Sequence, residues 1–330
     1  MLLFFCVLIV VTRKAGKGVI TESTPGTSVF VDEATFTYED IYASEEEQDI
    51  SFFNGKAYIP KENIETILLL GIDSEGEPQA AAGYRNTDQC DVIMLLVIDH
   101  DEQTYGLIQL NRETMTDITV IGATGEFLRY DNTQLAFAHT YGTGLNDSCE
   151  YTADAVSWLL YGQTIDHYAS FSMDTIGILN DQVGGVTVTV PVDMTSKDPA
   201  MEEGATITLQ GDQAETFVRS RMGLEDSSNS ERMERQKIFL NAWRDQFCEL
   251  AGDDAGFALE LIMKVSQYMV SDMDAGQLSD IANELVDYTA EGIYTIEGQS
   301  VQGEEFMEFY PDDASIQTVV AELFYNETEI

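Results

Sequence analysis

Positive charge is what this 330-residue chain has least of. Its 16 Lys and Arg stand against 59 Asp and Glu, a formal net charge of −43. Nucleic acid is thereby excluded as a partner, because binding a phosphate backbone needs a basic field. An anionic membrane surface would repel all but a local contact. The three histidines, His100, His139 and His167, sit in unrelated contexts and suggest no Ser-His-Asp order. CxxC, HExxH, Walker-type glycine loops and GxGxxG are absent, as are internal repeats and low-complexity tracts. No apolar run reaches the ~20 residues of a complete spanning helix. The longest, residues 2–12 of MLLFFCVLIVVTRKAGKG, crosses about half of a ~30 Å hydrocarbon core at 1.5 Å per residue. It reads as the trailing half of a membrane anchor or, alternatively, as a signal peptide, although no charged n-region precedes it and no A-x-A site follows.

Cysteines are also few. Cys6 lies in the apolar segment, Cys90 in RNTDQCD, Cys149 in GLNDSCEY and Cys248 in a helical pattern. In an exported chain, the two in polar, turn-rich contexts form a candidate disulfide, Cys90–Cys149, and Cys248 reads as a buried thiol. The hydrophobic share, 44%, is enough for a full core.

Along the chain, residues 18–56 are polar and acidic without periodicity and read as a stalk. The globular signal begins near AYIPKENIETILLLGID, where the apolar run Ile67–Leu70 closes at Gly71 as a buried strand. VIMLLVI (92–98) is a second buried strand, paired with YGLIQL (105–110) through the turn DHDEQT, and DITVI (117–121) is a short third. TADAVSWLLYG (152–162) has a helical apolar face ending at Gly162. A helix over Met173–Leu179, a strand at 186–192 and a strand-turn-helix in TITLQGDQAETFVRSR follow. A long helix runs from Ser230 to Cys248, two more occupy 253–289, and GIYTIEG and ASIQTVVAELF close the chain as strand and helix. Strands interleaved with helices predict an α/β layered domain.

Against this acidic background, FVRSRMGLEDSSNSERMERQ (217–236) gathers four of the scarce arginines. On a helix beginning near Ser230, Arg232, Gln236, Leu240, Trp243 and Phe247 share one stripe. Its lower part is apolar and faces the core, so Arg232 and Gln236 face a cleft. Arg219 and Arg221 reach the same place only from extended or irregular backbone. Converging guanidiniums repel each other unless an anion lies among them, and their planar forks match phosphate oxygens. The competing reading is a solvated face on which these arginines pair with the abundant carboxylates. Asp73 after LLLGI, Asp91 before VIMLLVI and Arg112 in QLNRETM are further strand-end charges, and carboxylates at such places can bridge a hard cation to phosphate.

LLLGID, DVIMLLVID, QLNRETM, AFAHTYG, YGQTIDHYASFSMDTIGILNDQVGGVTVTV, FVRSRM and RMERQ, in this order over residues 64–245, resemble the LytR–CpsA–Psr family. The tail EGQSVQGEEFMEFYPDD looks like that of clostridial-type members. The resemblance implies a three-layer α-β-α sandwich with a mixed central sheet and an apolar groove for a lipid. It also implies an extracytoplasmic, membrane-anchored phosphotransferase of a Gram-positive-type envelope, which moves an anionic glycopolymer from a polyprenyl-pyrophosphate carrier to peptidoglycan. Residues 1–17 would be the partial anchor or signal segment, 18–56 an extracytoplasmic stalk, 57–250 the catalytic domain and 251–330 a helical extension packed on it. By matching motif, Asp73 and Asp91 would hold Mg²⁺; Arg112, Arg219, Arg221, Arg232 and Gln236 would bind the pyrophosphate; Asp91, Arg112, Arg219 and Arg221 would be catalytic, with Asp91 the candidate base. Three positions depart from the family pattern. Gln89 stands where an Arg is usual, Asn111-Arg112-Glu113 replaces P-R-D, and one extra residue separates Arg221 from Arg232. Arg85 is the candidate replacement for the lost arginine.

Overall fold

The computed structural model describes residues 50–220, 229–253, 256–285 and 287–329. The segment 1–17, most of the expected stalk and Arg221 lie outside the described residues. Two short strands, β1 (Ser51–Phe53) and β2 (Lys56–Pro60), form a hairpin, with Asn54 and Gly55 both at positive φ in its turn. The folded domain therefore begins before residue 57 and takes in the end of the expected stalk. Next come β3 (Ile64–Ile72), β4 (Cys90–Asp99) and β5 (Thr104–Leu110), an antiparallel meander. β6 (Met115–Ile121) and β7 (Phe127–Gln134) form a separate hairpin. Helix α1 (Asn146–Leu159) leads to β8 (His167–Phe171), which lies parallel to β3.

Helix α2 (Asp174–Gln182), the small ribbon of β9 (Thr187–Thr189) and β10 (Thr206–Thr208), and helices α3 (Gln213–Arg219), α4 (Asn229–Asp253) and α5 (Phe257–Val265) follow. β11 (Met269–Ser271) adds to the edge of β8, and helix α6 (Ala275–Leu285) precedes β12 (Thr289–Thr295). β12 lies parallel to β5. The hairpin β13 (Gly298–Gln302) and β14 (Met307–Pro311), helix α7 (Asp313–Phe324) and β15 (Tyr325–Thr328) end the described chain, with β15 pairing back onto β2.

The central sheet has the order β11-β8-β3-β4-β5-β12. Its inner strands read as unbroken apolar runs because both faces are covered. On one face Ile67, Leu69, Met94, Leu96 and Leu107 pack under α2 to α6. On the other, Leu68, Leu70, Ile93, Leu95 and Ile108 pack under α1 and α7. This is the expected α-β-α sandwich with a mixed sheet. The expected helical extension 251–330 needs correcting, because β12 and β11 are the two edge strands of the central sheet and α7 supplies Val320 and Leu323 to its core. GIYTIEG reads as a strand, but its pairing with β5 about 185 residues earlier, and that of β11 with β8 about 100 residues earlier, leave no local trace in the sequence. Among the described residues no helix is long and apolar enough to cross a membrane.

Candidate anion-binding site at one end of the sheet

The site is built on an irregularity in β4. Gly71 pairs with Val92 but Ile72 pairs with Cys90, so Asp91 is an extra residue in the ladder. Such a bulge shifts the alternation by one. From Val92 onward even-numbered residues face the α2–α6 core, and without the bulge Cys90 would face it too. Instead Cys90 is buried in the opposite core, beside α1. Asp91 is thereby turned toward a narrow cleft that it shares with Val92, Met173, Ile176, Val218, Arg219, Arg232 and Gln236. Asp73 leaves β3 at the same end, where its amide donates to Gln89 O at 3.0 Å.

Three arginines converge here. Arg112 stands on a turn that Asn111 closes with its own side chain, Oδ1 accepting the Glu113 amide at 2.9 Å, the turn chemistry expected of Asn. Its guanidinium donates to Asp91 Oδ1 and to Gln89 Oε1. Gln89 at the departing position is thus an acceptor that anchors Arg112, a role an arginine could not fill. Arg219 ends α3, donating from Nη2 to Asp73 Oδ1 at 2.6 Å and from Nη1 to Glu215. Burial alone would lower its pKa, but the bond to Glu215 and the charges of Glu215, Asp73 and Asp91 raise it overall. Arg232, in the first turns of α4, lies below with only 2% of its surface exposed. It donates from Nη2 to Asp91 O at 2.9 Å and approaches Asp91 Oδ2 at 3.5 Å.

The predicted stripe on α4 holds: Arg232, Gln236, Leu240, Trp243 and Phe247 are all buried. Arg235, which the stripe leaves out, is a positioning residue. It donates from Nε to Phe217 O at 2.8 Å and from Nη2 to Ser220 O, while Gln236 reaches Val218 O at 3.3 Å. These are carbonyls at the C-terminus of α3, which the helix itself cannot satisfy. α4 therefore caps α3 and fixes the place of Arg219. Burial lowers the Arg235 pKa, against the opposing charge of Glu231. Its spacing of three from Arg232 was the available signal.

Two expected participants are elsewhere. Arg85 pairs at a bridge with Tyr141 and lies over its ring, 3.8 Å from the centroid, a cation–π contact rather than a bond to Asp91. The Cys90–Cys149 disulfide is not formed. Both are free, buried thiols in the α1 core, because the bulge turns Cys90 inward and Cys149 lies on the buried face of α1. Burial pushes Cys90 well up and Cys149 to about 12, so both behave as small neutral hydrophobes. Cys248 is half-buried.

Asp73 and Asp91 are the carboxylates available to a cation. Among the described residues no group of three or more His, Cys, Asp or Glu forms a metal cage. Two oxygen-only side chains fit a hard ion such as Mg²⁺, whose other ligands come from phosphate and water. They do not fit a closed structural metal site.

The arrangement now meets known proteins. Residues 28–324 match the LytR_cpsA_psr family. The chain belongs to this family. A curated relative is the polyisoprenyl-teichoic acid–peptidoglycan teichoic acid transferase TagU of Halalkalibacterium halodurans. It is 28% identical over 156 residues, 47% of this chain and 44% of the relative, so the match spans less than half of that protein. B. subtilis TagV superposes with a TM-score of 0.61 at 20% identity, covering 79% of this chain and 97% of TagV. A structure of TagT bound to LIIa-WTA superposes with a TM-score of 0.57 at 21% identity, covering 80% and 91%. As a LytR_cpsA_psr domain, the protein shares their fold.

Proposed function

We propose that the protein is an extracytoplasmic phosphotransferase that moves an anionic glycopolymer from a polyprenyl-pyrophosphate carrier to peptidoglycan. One observation carries this reading: a chain of net charge −43 brings Arg112, Arg219 and Arg232 together with Asp73 and Asp91 at one end of its sheet. The name of the TagU relative and the LIIa-WTA bound to TagT support it. Residues 1–17 would tether the domain to the outer face of a Gram-positive-type membrane.

Phosphoryl transfer asks the protein mostly for positioning and charge neutralisation. Arg219, the most exposed of the three, exchanges Asp73 for a pyrophosphate oxygen. Arg112 presents its fork beside it, and Arg221 follows in the sequence. Arg232 stays underneath, holding the bulge and adding charge. Mg²⁺ held by Asp73 and Asp91 would offset further negative charge on the pyrophosphate. Asp91 has Oδ1 on Arg112 and Oδ2 near Arg232, so to act as cation ligand or as the candidate base it would first exchange one of these guanidiniums. The acceptor oxygen forms a bond to the sugar-linked phosphorus as the bond from that phosphorus to the bridging oxygen breaks; polyprenyl phosphate leaves with the electron pair, the hydroxyl proton passes to water, and a phosphodiester results.

The test incubates the full chain in detergent with a polyprenyl-pyrophosphate oligosaccharide and a peptidoglycan fragment, with Mg²⁺ or chelator. Mg²⁺-dependent polyprenyl monophosphate together with a glycan–peptidoglycan adduct is the expected result. Monophosphate without adduct would replace the transferase by a pyrophosphatase. Donor binding with neither product would make the protein a non-catalytic envelope binder.

A further inference from the structure

Away from the arginine site, the hairpin β6–β7 leaves one strand edge without a protein partner. β7 pairs with β6, and among the described residues no other strand lies beyond it. No main-chain hydrogen bond joins residues 128–133 to any other described segment. Alternate amides and carbonyls of an antiparallel strand point away from its neighbour, so this edge offers a row of donors and acceptors. Edge strands are commonly blunted by brevity, proline or lysine. β7, FLRYDNTQ, has eight residues and neither proline nor lysine.

The same edge carries apolar surface. Phe127, Leu128 and Tyr130 are each more than half exposed, and Trp158 of α1 is exposed beside them. Tyr130 stands edge-on to Trp158, with ring centroids 4.8 Å apart, and 5.0 Å from Phe127. A bulge brings Phe127 and Tyr130 to one face. Val120 pairs with Arg129 but Ile121 with Phe127, so Leu128 is an extra residue that shifts the alternation by one. Contiguous exposed apolar clusters mark places where a protein meets another surface.

Charge decides which surface. Arg129, one of the chain's 16 cations, stands two residues from Asp131, and the two pair at 2.8 Å with side chains 60% and 48% exposed. A strand edge that pairs antiparallel with its own copy must place the two-fold axis on a residue, because only positions of equal parity face each other. With the axis on Tyr130, Arg129 lies directly across from Asp131 of the second copy, and Asp131 from its Arg129. An axis one residue earlier sets Arg129 against Arg129, and one residue later Asp131 against Asp131. Opposite charges directly across stabilise a strand pair and like charges destabilise it, so of these three registers the first is selected. It also brings the two Tyr130 rings together, with Phe127 and Trp158 of each copy around them. Repulsion between two chains of net charge −43 is screened beyond about 8 Å at physiological ionic strength.

We infer that the β7 edge is a homodimer interface, where a second copy of this chain adds its own β7 antiparallel with Tyr130 on the two-fold axis. The pairing uses no residue of the arginine site, so it stands or falls apart from the transferase reading.

Sedimentation velocity of the full chain in detergent, from low to high micromolar concentration at physiological ionic strength, gives the dimer dissociation constant. Arg129→Asp and Asp131→Arg should each weaken association more than about tenfold, because each sets two like-charge pairs across the axis. The double variant that exchanges both charges should recover the natural constant to within about threefold, since it restores both opposite-charge pairs. An equimolar mixture of the two single variants should associate although neither does so alone. Melting temperatures check that each variant folds. A natural chain that stays monomeric throughout, unchanged association in the single variants, or no recovery in the double variant and the mixture would each overturn the pairing.

Discussion

The same strands end in charge twice, and the two ends differ. At one end β3 delivers Asp73, β4 carries Asp91 at its second position and β5 runs on to Arg112. At the other, β3 begins near Glu65 and β4 ends at Asp99. There Glu65 lies 2.9 Å from His100 and 3.8 Å from His167, His167 also bonds Asp272 at 2.9 Å, and Lys61 meets Asp99 at 3.2 Å. Both ends are acidic clusters with cationic or ionisable partners. Among the described residues, the first pairs its carboxylates with guanidiniums, which stay charged at any pH the protein meets, and has a bulge that redirects a carboxylate and a neighbouring helix end held by buried Arg235. Acidity in this chain is background; what distinguishes a site is the cations it concentrates and the rigidity with which they are held.

The largest effect that would break this comparison is on catalysis. Arg219→Ala should lower polyprenyl monophosphate release about 10²- to 10³-fold, the usual loss when a charge-stabilising donor is removed. Its ion pairs are partly exposed, so stability should change by less than about 1 kcal/mol. His167→Ala, a similar truncation at the opposite end, should change turnover less than twofold. Comparable losses in both variants would mean that the arginine end holds no special place.

Next comes stability. Asp91→Asn leaves Arg232, almost without solvent, facing a neutral amide. Breaking a buried pair from one side costs about 3–5 kcal/mol, so the urea midpoint should fall clearly. Glu65→Gln should cost below about 1 kcal/mol, because its partners at the other end are partly exposed. Equal midpoints for the two variants would show that Asp91 is not the keystone of the buried arginine.

Much of this was legible in the residues. The apolar runs of β3 and β4 announce strands buried on both faces, and the period of 3.6 in α4 places Arg232 and Gln236 inward before any coordinates. The bulge left no mark, because Cys90-Asp91-Val92 reads equally well as ordinary alternation. For the same reason Cys90 was placed in a polar turn, whereas one extra residue in the ladder buries it. Gln89 reads as a loss when compared with an arginine, yet in three dimensions it is the acceptor that steadies Arg112. Arg235 was missed because its partners are main-chain carbonyls of α3, and a sequence names no carbonyls.

The smallest effect concerns pH, and it sharpens the contrast between the ends through the third histidine. His139 is fully buried near the arginine end, with Nδ1 3.0 Å from Asp88 O and Nε2 lacking a partner among the described residues. Burial lowers its pKa from the ordinary 6.5, only partly opposed by the Asp88 carbonyl and the charges of Asp88 and Asp147. The native imidazole therefore resists a proton that the unfolded chain accepts near pH 6.5. Below that value the unfolded state binds more protons, so stability must fall as pH is lowered toward the native pKa, at no more than about 1.4 kcal/mol per pH unit for one proton. Urea midpoints at pH 7, 6 and 5 should show this slope in the natural chain and a shallower one in His139→Gln, which keeps a side-chain donor for Asp88. An unchanged slope would assign the acid sensitivity to other groups, such as the arginine-paired carboxylates, and leave His139 a silent core residue.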